Sequence, residues 1–221
     1  IFMQNLKMFS LCLFPRHFST IKKFNYIPVG LGKNNFDDNW LRDNTGENIS
    51  EKNPFYGEYT FHYWLWKNHL DEIEDGTWIG FCGYRYFWKN DINFGNDRSN
   101  VLRDIPEKWK DFDAIIADQQ QTYPIKLSKI FKNADPELLL NYRSYIKRKQ
   151  NIKFHFQVFH GKNSLDSAID LLNDEDREPF REYVNNNYSF HKWNMFICKS
   201  KPKIFKYYSI IFPWLKKCEK I

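Results

Sequence analysis

The chain has 221 residues, 42% of them hydrophobic and 27% charged, which excludes a disordered polymer and leaves room for one domain with a sizeable core. Its net charge of +6 suits polyanionic partners (nucleic acid, lipid headgroups or diphosphates) without choosing among them. The four cysteines, Cys12, Cys82, Cys198 and Cys218, contain no Cys-x-x-Cys pair, so neither a zinc ribbon nor a thioredoxin-like centre is expected, and they read as reduced thiols of a cytoplasmic protein.

In chain order, Lys7–Leu13 is short, apolar and bounded by Pro15, and reads as a first strand. Phe24–Val29 reads as a second, ended by Gly30 and Gly32. Lys33–Asn53 is a long polar loop, a kind of segment that usually carries function. Pro54–Asn68 is expected to be one helix, apolar on most sides, with Phe55, Tyr59, His62, Tyr63 and Trp66 at helical spacing. Thr77–Gly83 is a third strand, Asp91–Asp104 a polar loop and Phe112–Ala117 a fourth strand ending at Asp118. The pattern then turns helical: Glu137–Lys149 capped by Asp135, Ser164–Leu172, and Glu175–Val184. Met195–Lys199 is a last strand, and Lys203–Glu219 a last helix containing Pro213. This order predicts an α/β fold: a mixed central sheet flanked by helices, with a helix-rich C-terminal half. One domain over 1–221 is expected, dividing near residue 120. Ligands of such sheets bind beyond the carboxyl ends of the strands, here the loops after Leu13, Gly83 and Ala117.

The polar run Leu41–Pro54 leads into a helix whose free N–H groups favour anions, and Lys52 adds positive charge there. Asp43, Asn48, Ser50, Lys52 and Asn53 are therefore candidate binding residues; the plain alternative is a cap and turn made by Asn53 and Ser50. Glu58 lies among aromatics, where a carboxylate needs a partner. It either pairs with Arg85 or Lys52 for structure or acts on a hydroxyl as a base. Tyr84-Arg85-Tyr86 follows the third strand, with an Arg fork suited to a diphosphate and rings suited to a uracil or a sugar. Asp118, at a strand's carboxyl end, is a second candidate catalytic carboxylate. His191 and Asn194 are candidates for a secondary or acceptor site. His155 and His160, five apart around an expected bend, match no standard zinc spacing.

The spaced combination Asn48-Ile49-Ser50-Glu51-Lys52-Asn53-Pro54, Glu58, Thr60, Tyr63-Trp64-x-Trp66-Lys67-Asn68, Gly80–Phe87, Asn194–Ile197 and Phe212–Leu215 closely resembles a bacterial family formerly catalogued as domain of unknown function 4422. Its members are considered glycosyltransferases of capsule, exopolysaccharide and O-antigen assembly. The resemblance implies a GT-A-like fold, a nucleoside-diphosphate sugar donor, and a glycan or lipid-linked glycan acceptor. Some relatives look like galactofuranosyl or other hexosyl transferases. It implies a donor-binding half over about 1–120 and an acceptor side over about 121–221.

Two departures stand out. Leu13-Phe14-Pro15-Arg16 replaces a His-Lys pair, and Cys82-Gly83-Tyr84-Arg85-Tyr86 replaces Cys-His-Tyr-Arg-Arg. They imply a different donor, or a non-catalytic glycan-binding or scaffolding relative. No cofactor is expected, a divalent cation being the less favoured alternative, and metal ligands are expected to be none. Asp37 and Asp38 are adjacent, Asp174 and Asp176 lie between helices, and Arg85 stands where an Asp-x-Asp motif would hold a divalent cation. A basic nucleic-acid-binding module is the other reading of the charge, but the rings fall at buried spacings and no nucleic-acid partner is expected. No apolar run reaches the roughly 18–20 residues of a spanning helix. The last helix, with Lys206, Lys216, Lys217 and Lys220 beside Phe205, Ile210, Phe212 and Trp214, is the candidate element for peripheral contact with an anionic membrane.

Overall fold

Two apolar segments, Leu6–Cys12 (β1) and Trp78–Gly83 (β4), pair in parallel from Leu6 opposite Trp78 to Leu11 opposite Gly83. β4 is buried at every position, as expected of a strand covered on both faces. The computed structural model describes residues 6–90, 100–126, 128, 130, 150–191 and 193–221. It divides the chain into two compact units, Ile1–Ala117 with Trp193–Ile210, and Asp118–Lys192 with Ile211–Ile221.

The first unit holds a six-stranded mixed sheet. Ile27–Gly30 (β2) and Leu41–Arg42 (β3) extend β1 on one side, both parallel. On the other side of β4 come Phe196–Cys198 (β8), antiparallel, and then Ala114–Ile116 (β5), antiparallel to β8. The order is β3-β2-β1-β4-β8-β5. Strands 1 to 5 therefore all end at the same edge. The order reverses between β1 and β4, where a crevice forms in sheets of this kind.

Alternation along β1 and β4 sends Phe9 and Phe81 to one face and Met8, Cys12, Trp78 and Cys82 to the other. Tyr59–Asn68 (α3) covers the first face. Its Phe61 ring lies 5.2 Å from Phe9, and its His62 ring 4.3 Å from Phe81. Burial lowers His62 to about 3, so the ring stays neutral, with Nδ1 2.7 Å from the Tyr208 hydroxyl. Phe18–Lys23 (α1) serves the second face through Ile21, joined by Phe24, Tyr26 and Trp40. Gly80 leaves room for Met8, whose methyl group would lie 2.6 Å from a Cβ there.

The second unit contains the antiparallel pair Gln119–Gln121 (β6) and Ser189–His191 (β7). It also contains the helices Ile152–His160 (α4), Ser164–Asp170 (α5) and Asp174–Asn186 (α6). Asn151 caps α4 by accepting from the Phe154 N–H at 2.8 Å, and its amide donates to the Asn185 carbonyl at 2.7 Å. Leu165, Ile169 and Val184 form a small core there. The last helix, Lys201–Cys218 (α7), contains Pro213.

Several sequence expectations change. The single helix over Pro54–Asn68 is two, Asn53–Tyr56 (α2) and α3, because Gly57 adopts φ +55°, which no helix accommodates. Phe55, expected on a packed helical face, is 91% exposed. Asn53 is the first residue of α2 rather than its cap, and its amide donates to the Gly57 carbonyl at 2.9 Å. The second strand begins only at Ile27, because α1 and a turn through Asn25 at φ +61° precede it. His155 and His160 lie on α4 with no bend between them. The helix expected over Glu137–Lys149 lies outside the described residues, as does most of the loop over Asp91–Asp104.

Phe81 has no solvent exposure and meets Phe9, Phe61, His62 and Phe196. Phe81→Ala is expected to destabilise the first unit by about 3–5 kcal/mol, read as a lowered urea midpoint.

Candidate functional site

At the reversal between β1 and β4 the two strands end in different turns. After β4, the Tyr86 N–H donates to the Gly83 carbonyl at 3.3 Å, so Tyr84 and Arg85 occupy the tip of a tight turn. The Tyr84 N–H donates to the Leu11 carbonyl at 3.1 Å, fixing that turn to β1. After β1 come Phe14, Arg16 and His17. The Tyr84 ring lies 4.8 Å from His17 and 5.9 Å from Phe14, edge to face. The exposed Arg85 guanidinium lies 5.1 Å from the Tyr84 ring centre, and that of Arg16 the same distance from Phe14.

Glu58 immediately precedes α3 and lies against this turn. A Cβ added at Gly83 would stand 3.4 Å from its Oε1, an ordinary contact. Burial raises the Glu58 carboxyl above its ordinary range; the nearby Asn194 backbone N–H and the charge of Arg85 oppose that shift.

Two adjoining clefts continue from there. One of about 280 Å³ is lined by Leu13, Phe14, Asn53 and Pro54. A larger one of about 700 Å³ is lined by Arg42, Asn48, Ile49, Ser50 and Lys52. Gly32, Lys33, Ser50 and Glu51 border both. The Asn48 Oδ1 accepts from the Ser50 N–H at 3.2 Å and from its hydroxyl at 3.0 Å, a local turn that shapes the wall. Arg42 braces the opposite side, donating to the Gly32 carbonyl at 2.8 Å and to the Asn34 carbonyl at 3.3 Å.

The sequence-selected residues thus fall into three groups. Glu58, Tyr84, Arg85 and Asn194 meet at the end of β4. Asn48, Ser50, Lys52 and Asn53 line the clefts. Asp43 does neither: its side chain is sealed from solvent, although its neighbours Arg42 and Asn44 line the larger cleft. Neither of its oxygens meets hydrogen-bond geometry. Burial raises its carboxyl, and the nearby Thr60 hydroxyl and Arg42 charge offset only part of that. Asp118 and His191 belong to the second unit, both exposed, with the His191 Nε2 3.3 Å from the Gln119 amide.

Sequence reasoning missed Trp193. Its ring stacks on Tyr86 at 3.9 Å, and its backbone is left-handed at φ +63°. The only sequence signal is a lone Trp preceding Asn194. Among the described residues no three His, Cys, Asp or Glu side chains gather as metal ligands, and no helix is long and apolar enough to cross a membrane.

The mixed six-stranded sheet flanked by helices is an α/β fold structurally similar to that of a solved glycosyltransferase. The solved structure described as WbbM bifunctional glycosyltransferase, apo, superposes with a TM-score of 0.66 at 20% identity over 98% of this chain. This chain spans 37% of that protein's length. The family described as Domain of unknown function (DUF4422) matches residues 11–221, and the chain belongs to that family. No curated protein matches it.

The Glu58 shift has a sign that stability can read. A carboxyl raised in the folded state favours folding below its ordinary value of 4.5, and that contribution is lost as pH rises through the folded value. Glu58→Gln is therefore expected to be more stable than wild type at neutral pH, with the advantage shrinking on acidification toward about pH 4.5; thermal melts across that range check it.

Proposed function

We propose that this chain transfers a sugar from a nucleoside-diphosphate donor to a growing cell-surface glycan. The observation that carries the reading is the convergence of Glu58, Tyr84 and Arg85 where the strand order of a glycosyltransferase-like sheet reverses. Arg85 presents a planar fork of donors suited to a diphosphate, and Lys33 and Lys52 border the adjoining clefts. Negative charge gathers on the diphosphate as the glycosidic bond breaks, and these cations are placed to stabilise it. Lys52, Asn53, Asn48 and Ser50 line the path for the rest of the donor, while Asp43 supports the wall from within.

Glu58 is the proposed base. Burial raises its proton affinity, which suits it to take the proton of the attacking acceptor hydroxyl. It is preferred to the exposed Asp118 because it lies beside Arg85 and Gly83. A divalent cation does not fit this end of β4, where one carboxylate stands beside an arginine, so the proposed chemistry runs through Arg and Lys. The transferred sugar is proposed to be a hexose, galactofuranose among the candidates, and the product a capsule, exopolysaccharide or O-antigen chain.

A nucleotide-sugar panel tests this through released nucleotide. Turnover is expected with at least one donor and in excess EDTA. Glu58→Gln should lower it by on the order of 10²–10⁴-fold. Arg85→Ala should weaken nucleoside-diphosphate binding by about 2–3 kcal/mol. Loss of turnover in EDTA, restored by manganese or magnesium, would overturn the direct grip by Arg85. No turnover with any donor would favour a glycan-binding relative.

A lipid-linked acceptor would bring the protein to a membrane surface. On α7, Ile210 is exposed on the same face as Lys203 and Lys206, and this face is proposed to touch anionic headgroups. Phe212 and Trp214 are not part of it: Phe212 is buried, and the Trp214 indole donates to the Ala168 carbonyl at 2.7 Å. Flotation with anionic liposomes at low salt is expected to carry the protein upward; equal behaviour with neutral liposomes would remove the proposal.

A further inference from the structure

We propose that Tyr86 and Trp193 form a stacking platform for a sugar ring of the acceptor glycan, a role that rests on the transferase reading above. The two rings lie 3.9 Å apart with planes 29° from parallel. Although stacked on each other, they remain 43% and 40% exposed, so each retains surface open to solvent. Trp193 holds φ +63°, a left-handed backbone that is unfavourable for so bulky a residue and that clusters at functional sites.

The backbone ties this pair to the chemistry on both sides. The backbone N–H of Asn194, which follows Trp193, lies near the Glu58 carboxyl. Tyr86 closes the turn that carries Arg85. The platform is thus fixed by the same two segments that position the base and the diphosphate grip. Its side of the sheet decides the occupant. Tyr84 faces Phe14 and His17, toward β1 and the clefts proposed for the donor. Trp193 leads into β8, on the opposite side of β4. A group stacked there is on the acceptor's side of Glu58. An aromatic face suits the apolar C–H face of a pyranose or furanose, whose hydroxyls point outward to water and to neighbouring polar groups. A nucleobase would also stack, but it belongs with the donor.

The test uses methyl glycosides of the common hexoses, in pyranose and furanose forms, followed by saturation-transfer NMR. Nucleoside diphosphates are titrated in parallel by calorimetry. Wild type is expected to saturate the ring C–H protons of at least one glycoside. Trp193→Ala and Tyr86→Ala should each weaken that glycoside by about tenfold or more, and Trp193→Phe should largely restore it, with nucleotide affinity unchanged. Trp193→Gly, which accepts the left-handed backbone, serves if the alanine variant does not fold. Glycoside saturation that survives in both alanine variants, no saturation with wild type, or loss of nucleotide affinity in place of glycoside affinity would each overturn the platform. If glycoside binding disappears in the variants of a protein that turns over no nucleotide-sugar, the platform stands and the transferase reading falls instead.

Discussion

The parallel pairing of β1 with β4 is the constraint on which the site depends. It aligns Phe9 with Phe81, and that aromatic pair gives α3 a face to pack on through Phe61 and His62. Packing α3 there brings Glu58, the residue just before it, to the end of β4. The same pairing lets the Leu11 carbonyl anchor the Tyr84 turn. The position of the carboxylate and that of the guanidinium thus follow from one strand register, and a slip of one residue would turn Phe81 to the opposite face.

The site is held against a local penalty. Glu58 and Asp43 are both carboxyls raised by burial, and Asp43 has no well-formed hydrogen bond. Such groups weaken a fold, which must find its stability elsewhere. Here that source is the ring-rich packing on both faces of the sheet, from Phe9, Phe61 and Phe81 on one side to Trp40 and Trp78 on the other. Much of the aromatic content thus builds the core, while Phe55, Tyr86, Phe112, Trp193 and Phe205 are among the exposed rings.

Strands with strong apolar runs were legible in the sequence. β1, β4 and β8 fall within a residue or so of expectation, because each is short, apolar and bounded by turn residues. α1 and α4 were not legible: α1 has six residues, and the face that α4 buries is carried by only Phe154 and Val158. The pairing of the segment Trp193–Ile210 with the first unit was not legible, because pairing between distant segments leaves no local pattern. Among the candidate residues, Glu58 and Arg85 announce themselves as charges within apolar or aromatic sequence. Trp193 gives no such sign, since its exposure and backbone strain exist only once β8 has docked.

That late docking bears on how the protein is made. β8 lies between β4 and β5, so β5 has no partner in the sheet and β4 has a bare edge until Phe196–Cys198 arrives. Every residue from Gly83 to Phe196 must be synthesised first. Throughout that interval the nascent chain carries a strand that is buried throughout in the finished fold, with the hydrogen-bonding groups of one edge unmet, a ready template for pairing with another chain. Yield in a cell would then be governed less by the stability of the finished molecule than by how long this open edge is shielded.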